Sequence, residues 1–275
     1  MSNFLLRTIS GILFVVSIVG ALIIGKTTFL IVYSGILILS MYEFYSLSLK
    51  ARIKPQFFIG IAIGLTLFIG TYLFTTGRIE GIFMLGFVPL ASSIFIFELY
   101  RKHKRPFHNI AYTFLGIFYI AFPISLFNFM VFDSSTLQYH YSFEILLCYF
   151  ILIWANDTGA YLFGVSIGKH KIFPRISPKK SWEGFVGGLI FTAIVAWAIS
   201  RYYHNITFAH WLVIGMITAI FGVFGDLVES MYKRSLDVKD SGKFLPGHGG
   251  VLDRFDSVYL SAPIVFVYLK IMMII

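Results

Sequence analysis

Nine stretches of mostly apolar residues follow one another along the chain, at 4–24, 28–49, 57–76, 81–100, 109–132, 143–167, 183–201, 209–232 and 257–275, with short polar loops between them. A helix of about 20 apolar residues crosses the hydrocarbon core of a bilayer. In that core only structures that satisfy their own backbone hydrogen bonds persist. The pattern therefore predicts an all-α, polytopic integral membrane protein with about nine transmembrane helices. Composition decides against the soluble alternatives: 58% of the residues are hydrophobic and 13% charged, against roughly 25% charged in soluble domains. Disorder is excluded by the same figures. Arg7 followed by an apolar run could also open a secretory signal, but no small-x-small cleavage pattern precedes Lys26. The segment is read as a retained first helix.

The basic residues set the orientation. With the N-terminus cytoplasmic, 18 of the 22 Lys and Arg fall on the inner side, leaving only Lys26, Arg78, Arg201 and Lys270 outside. The positive-inside rule favours that arrangement over its inverse. The formal charge of +9 is thus a topology signal, and no nucleic-acid partner is expected. The single Cys148 rules out an intrachain disulfide and a multi-cysteine zinc site. No repeat and no Ser/Pro/Gly linker divides the chain, which is read as one membrane domain over 1–275. Its N-terminal helices run to about 142, and its catalytic helices and cytoplasmic loops from about 143.

The first half carries few expensive residues. Glu43 and Glu98 lie near cytoplasmic span ends, where carboxylates can reach water, and are read as structural. Nine of the 13 acids lie from Glu144 onward, and eight of those fall in three places. Asp157, in WANDTGAYLFG, sits inside the sixth span, where a carboxylate is costly and a function is the default expectation. Ala160, Gly164 and Gly168 follow it at i+4 steps, a stripe that lets helices approach closely.

The second place is ISPKKSWEGF. Ser177-Pro178 is expected to fix a turn before Lys179 and Lys180. Ser181 is a good N-cap, and Glu183 suits the positive end of the helix that follows. Hydroxyl, ammonium and free helix N–H groups together favour a phosphate.

The third place runs from Phe224 to Ser257. Asp226, Glu229, Ser230 and Lys233 share one face of the eighth helix, and Asp253 and Asp256 open the ninth. Between them lie Lys233, Arg234, Asp237, Lys239, Asp240, Lys243 and the turn Pro246-Gly-His-Gly-Gly250. Clustered Asp without Cys offers hard oxygen ligands that suit Mg²⁺, usually held by one or two carboxylates plus substrate phosphates. Glycines such as Gly249 and Gly250 let backbone N–H groups approach an anion. The segment reads as a metal-dependent phosphate-chemistry site at the membrane surface.

SMYKRSLDVKDSGKFLPGHGGVLDRFD, Ser230 to Asp256, resembles the signature of the phosphatidate cytidylyltransferases (CDP-diacylglycerol synthases). The departure is Tyr232, where that family usually carries an aliphatic residue or Phe. SPKKSWEG and the Asp157 segment are similar as well, whereas the first 150 residues match only as a set of spans. The resemblance implies a membrane nucleotidyltransferase of phospholipid biosynthesis, condensing CTP with phosphatidic acid to give CDP-diacylglycerol and pyrophosphate. It implies Mg²⁺ held by Asp226, Asp253 and Asp256, with a second cation beside it by two-metal logic. Lys233, Arg234, Lys239 and Arg254 would bind phosphates. Lys180 and Ser177 would act from the facing loop, with Asp157, Ser181, Glu183, Gly249 and Gly250 lining the substrate site. Asp240 belongs to the same loop, and His248 would order its turn. A homodimer in the cell membrane, with its active site on the cytoplasmic side, completes the expectation. Two rivals stand beside it. A CTP-dependent lipid-alcohol kinase would need a base such as Asp157 or Asp240, and an ion-coupled transporter would favour midplane polar sites and repeats.

Overall fold

A computed structural model describes residues 3–133, 140–238, 240–242 and 249–275. Lys239 and His248, both named from the sequence, lie outside the described residues. The chain is an all-α membrane protein. Its elements are α1 (Asn3–Ile24), α2 (Lys26–Ser48), α3 (Phe57–Thr75), α4 (Phe87–Tyr100), α5 (Pro106–Gly116) and α6 (Phe122–Val131). They continue with β1 (Phe132–Asp133), β2 (His140–Tyr141), α7 (Glu144–Ile167), β3 (Lys171–Phe173), β4 (Ser177–Ser181), α8 (Trp182–Tyr202), α9 (Phe208–Ser235) and α10 (Leu252–Ile271). Each apolar stretch read from the sequence falls on a helix. Among the described residues, seven helices are long and apolar enough to cross a membrane, the first Lys26–Ala51 and the last Phe208–Ser235. Helix α10 is not one of them, because its 20 residues include Asp253, Arg254, Asp256 and Lys270.

Two prolines shape the helices that hold them. The predicted span at 81–100 begins as a 3₁₀ segment, Gly81–Gly86, and becomes α-helical only at Phe87, so Pro89 sits in the first turn of α4. There its missing N–H costs little. Pro123 is the second residue of α6, and the turn before that helix, Ile117–Ala121, is a π-helix in which the N–H of Phe122 reaches back five residues to Ile117 O. A proline ring clashes with the carbonyl four residues before it, and a local π register is one way to absorb the misfit.

The chain divides into two compact units. The first comprises residues 1–143 and 235–255, and the second 144–234 and 256–275. In the first, Tyr45 of α2 is buried and donates its hydroxyl to Thr113 O at 2.8 Å. Gly60 and Gly116 lie against its ring, where any Cβ would collide. Helices α3 and α6 are joined by polar bonds inside the apolar packing: Asn128 Nδ2 donates to Thr71 Oγ1 (2.8 Å) and Phe68 O (3.0 Å).

Glu43 and Glu98 do not reach water as the sequence suggested. They are 5% and 4% exposed, because donors within the protein replace the lost hydration. Glu98 accepts from Gln56 Nε2 (2.9 Å), Asn109 Nδ2 (2.7 Å) and Arg101 Nη1 (2.9 Å), a structural network as expected.

In the second unit, α7 and α8 approach closely at glycines on both helices. A Cβ on Gly184 would stand 2.8 Å from Ala160 O and 3.2 Å from Gly164 Cα, and one on Gly159 2.8 Å from Gly187 O. The small-residue stripe of α7 is thus used within this unit. The segment between the two helices is an antiparallel hairpin, β3 with β4, pairing Lys171 with Ser181 and Phe173 with Ser177. Ser177-Pro178 therefore begins a strand, and the turn falls earlier, at 174–176. Pro178 is tolerated because a lone hairpin strand has an open edge needing no N–H.

Candidate functional site

A cavity of about 310 Å³ opens within the second unit, walled by α7, the hairpin, α8, α9 and the start of α10. Its polar lining is Asn156, Asp157, Lys179, Lys180, Ser181, Asp226 and Ser257, and Tyr161, Ile172, Phe185 and Val223 add apolar surface. Four of the site residues expected from the sequence line this cavity: Asp157, Lys180, Ser181 and Asp226.

Each is positioned by its own element. Ser181 ends β4 and caps α8, its Oγ accepting from Gly184 N at 3.2 Å, as its place before Trp182 predicts. Fixing Ser181 fixes Lys180 beside it. The Lys180 ammonium stands 2.5 Å from Asp226 Oδ2 and 3.4 Å from Val223 O. Asp226 Oδ1 accepts from Ser230 Oγ at 3.1 Å, one turn along α9. Asp256 is half-buried and accepts from Ser257 N. It experiences the negative charge of Asp226, then of Asp157, and the opposing charge of Lys180. Helix α10 comes this close to α9 because of Gly225, whose Cβ would strike Asp256 O.

Other residues named from the sequence have other tasks here. Lys233 pairs with the buried Glu229 (3.3 Å), which holds its ammonium along α9. Glu183 accepts from Lys169 N (3.1 Å) and His170 N (3.2 Å) and meets His170 Nδ1 at 2.6 Å, closing the chain between α7 and β3. Ser177 is half-buried in β4 and is not among the residues lining the cavity. Arg234 is exposed at the end of α9.

In the first unit, Asp253 opens α10 with its carboxylate turned back on the preceding segment. It accepts from Ser241 N (3.0 Å) and Gly250 N (2.9 Å). The Gly250 N–H is therefore used by Asp253. Gly249 has φ +84°, a conformation that favours glycine. Asp240 and Arg254 are exposed.

Among the described residues no three His, Cys, Asp or Glu side chains form a group that could hold a metal. Two carboxylates, Asp226 and Asp256, do share one neighbourhood with a lysine ammonium already against the first. Two hard oxygen donors and a place where a cation is favoured fit a divalent ion completed by substrate phosphates.

Asn156 was not singled out from the sequence. It is 3% exposed, lines the cavity, and its Oδ1 has no hydrogen-bond partner among the described residues. A buried amide in an apolar helix is a polar residue inside a span and could have been flagged as such.

The model of the cytidylyltransferase family matches residues 5–272, nearly the whole chain. The chain belongs to the cytidylyltransferase family. Among its relatives, the phosphatidate cytidylyltransferase of Staphylococcus haemolyticus (strain JCSC1435) is 33% identical over 266 residues, 96% of this chain and 98% of its own. That of Staphylococcus aureus (strain COL) is 38% identical over 184 residues, 66% of this chain and 67% of its own. That of Staphylococcus saprophyticus is 40% identical over 175 residues, 63% of this chain and 64% of its own. For a cytidylyltransferase, a wall that joins lysines to carboxylates is the expected chemistry: the first meet phosphate oxygens, the second meet cations.

Proposed function

We propose that the chain is a phosphatidate cytidylyltransferase, transferring the cytidylyl group of CTP to phosphatidate. Family membership along the whole chain supports the nucleotidyl chemistry, and relatives bearing that name support the acceptor. The observation that carries the reading is the Lys180–Asp226 pair in the wall of the cavity of the second unit, with Lys179 and Asp157 beside it.

An oxygen of the lipid phosphate attacks the α-phosphorus of CTP. The new P–O bond forms as the bond to the β-phosphate bridge breaks, and pyrophosphate leaves with the electron pair. A phosphate monoester has its second pKa near 6, so the nucleophile is mostly dianionic at neutral pH and needs no general base. The barrier is electrostatic and geometric, since two anions must meet in line. Lys180 and Lys179 neutralise phosphate oxygens. Asp226 and Asp256 would hold Mg²⁺ by their carboxylate oxygens, and a second cation is proposed on two-metal logic alone. Ser230 orients Asp226, and the Ser181 cap keeps β4, and with it Lys180, in place. Mg²⁺, when bound, would screen the triphosphate charge and favour departure of pyrophosphate.

The distribution of basic residues supports a cytoplasmic site in the cell membrane, reached by water-borne CTP and bilayer-borne phosphatidate. A homodimer is proposed on the family resemblance alone.

The test is Mg²⁺-dependent release of pyrophosphate from CTP by the purified protein in detergent, with and without phosphatidate. Label at the α-phosphate should enter lipid, and label at the γ-phosphate should not. The reverse would indicate a lipid kinase and overturn the reading.

A further inference from the structure

We infer that Glu43 is a positioning residue for this reaction: its carboxylate fastens residues 241–242 and 250–252 of the signature segment to helix α2. The inference rests on the activity proposed above and adds a residue that lies about 200 positions from the signature.

Glu43 sits in a 23-residue apolar helix and is 5% exposed. A carboxylate in such surroundings costs several kcal/mol unless donors receive it. The donors come from one place. Leu252 N donates to Oε2 at 2.8 Å and Ser241 Oγ donates to the same oxygen at 3.2 Å. One side chain thus accepts from residues on both sides of 243–248, Ser241 lying 198 and Leu252 209 residues away in sequence.

Two glycines of the segment are explained by the same carboxylate. A Cβ on Gly242 would fall on Glu43 Oε1, and a Cβ on Gly250 would fall on Glu43 Oε2 and Ser241 Oγ. Each glycine leaves room for the carboxylate. Ser241 joins the arrangement to Asp253, because its hydroxyl goes to Glu43 and its N–H to the Asp253 carboxylate. Gly250 N–H also goes to Asp253. Glu43 and Asp253 therefore hold the segment together, the first from α2 and the second from the start of α10. If the signature performs cytidylyl transfer, its shape must survive the arrival of two anions, and Glu43 is the tie to the membrane helices.

The experiment compares full-length wild type, Glu43→Ala, Glu43→Gln and Ser241→Ala in detergent, following steady-state transfer from CTP and amide hydrogen exchange. Glu43→Ala should lower kcat about tenfold or more with the KM for CTP changed less than about threefold. Exchange at the Leu252 amide should quicken. Glu43→Gln can still accept from Leu252 and should recover most of the rate and the protection. A purely structural role predicts loss of folded protein with kcat per folded molecule unchanged, and that result would overturn the inference. So would unchanged exchange at Leu252. If Glu43→Ala does not insert, Glu43→Gln and Ser241→Ala decide, since each removes only part of the linkage. Ser241→Ala should then show a smaller loss of kcat, and wild-type kcat in both would reject the idea. Exchange needs no substrate, so it judges the fastening separately from the activity: wild type that transfers no label overturns the proposed reaction and the catalytic role, whatever Leu252 shows.

Discussion

The ammonium of Lys180 stands 2.5 Å from Oδ2 of Asp226, joining strand β4 to helix α9 across the cavity of the second unit. Neither residue is fully withdrawn from solvent, with side chains 23% and 32% exposed. A pair of this kind adds little stability, so its value lies in what it presents: a cation beside the acids Asp226, Asp157 and Asp256, in the lining of a cavity of about 310 Å³.

Lys180→Met keeps the apolar stem and removes the charge. Its kcat/KM for CTP should fall about 100-fold, or about 2.7 kcal/mol of transition-state stabilisation. Lys180→Arg should keep part of the rate, because the charge remains while the geometry changes. Steady-state transfer of α-labelled CTP measures both. A Met variant within threefold of wild type would remove Lys180 from the reaction.

Asp226→Asn and Asp256→Asn should shift metal dependence. Each replaces a charged oxygen donor with a neutral amide, so the Mg²⁺ concentration for half-maximal activity should rise about tenfold or more. A chelator should abolish turnover in wild type, and added Mg²⁺ should restore it. Variants that lose rate at unchanged Mg²⁺ dependence would show the two carboxylates acting otherwise.

The helices and the clustering of acids were legible in the sequence because both leave local marks: apolar runs of fixed length, and carboxylates spaced i, i+3 on α9 and α10. Ser181 as a cap was equally local. The β3–β4 hairpin was not, since strands of three and five residues, KIF and SPKKS, are too short to carry a hydropathy signature, and Ser177-Pro178 suits a turn as well as an open strand edge. Glu43 was read as an acid near water because its donors, Ser241 and Leu252, lie some 200 residues away. No local spacing could announce that contact.

Glu98→Ala should separate stability from function. The Glu98 carboxylate accepts from Gln56, Asn109 and Arg101, and its removal leaves a partly buried cation and two buried amides with fewer acceptors. Loss of one member of such a network costs about 3–5 kcal/mol. The yield of folded protein and the midpoint of thermal unfolding in detergent should drop, while turnover per folded molecule stays at the wild-type value. A large fall in kcat without loss of stability would place Glu98 in the reaction.

Asn156→Leu should move stability and activity in opposite directions. The two side chains are close in volume, and Asn156 is buried with its Oδ1 unsatisfied among the described residues. An unmade hydrogen bond of that kind costs about 1–3 kcal/mol, so Leu should raise the unfolding midpoint or leave it unchanged. A protein that keeps a destabilising amide in the wall of a cavity next to Asp157 gains from it only when something polar fills that cavity. The same substitution should therefore lower kcat/KM for CTP or phosphatidate about tenfold or more. Thermal unfolding and steady-state kinetics on one preparation provide both numbers. If Leu destabilises the protein and leaves kcat/KM intact, the amide is a packing element and the cavity makes no use of it.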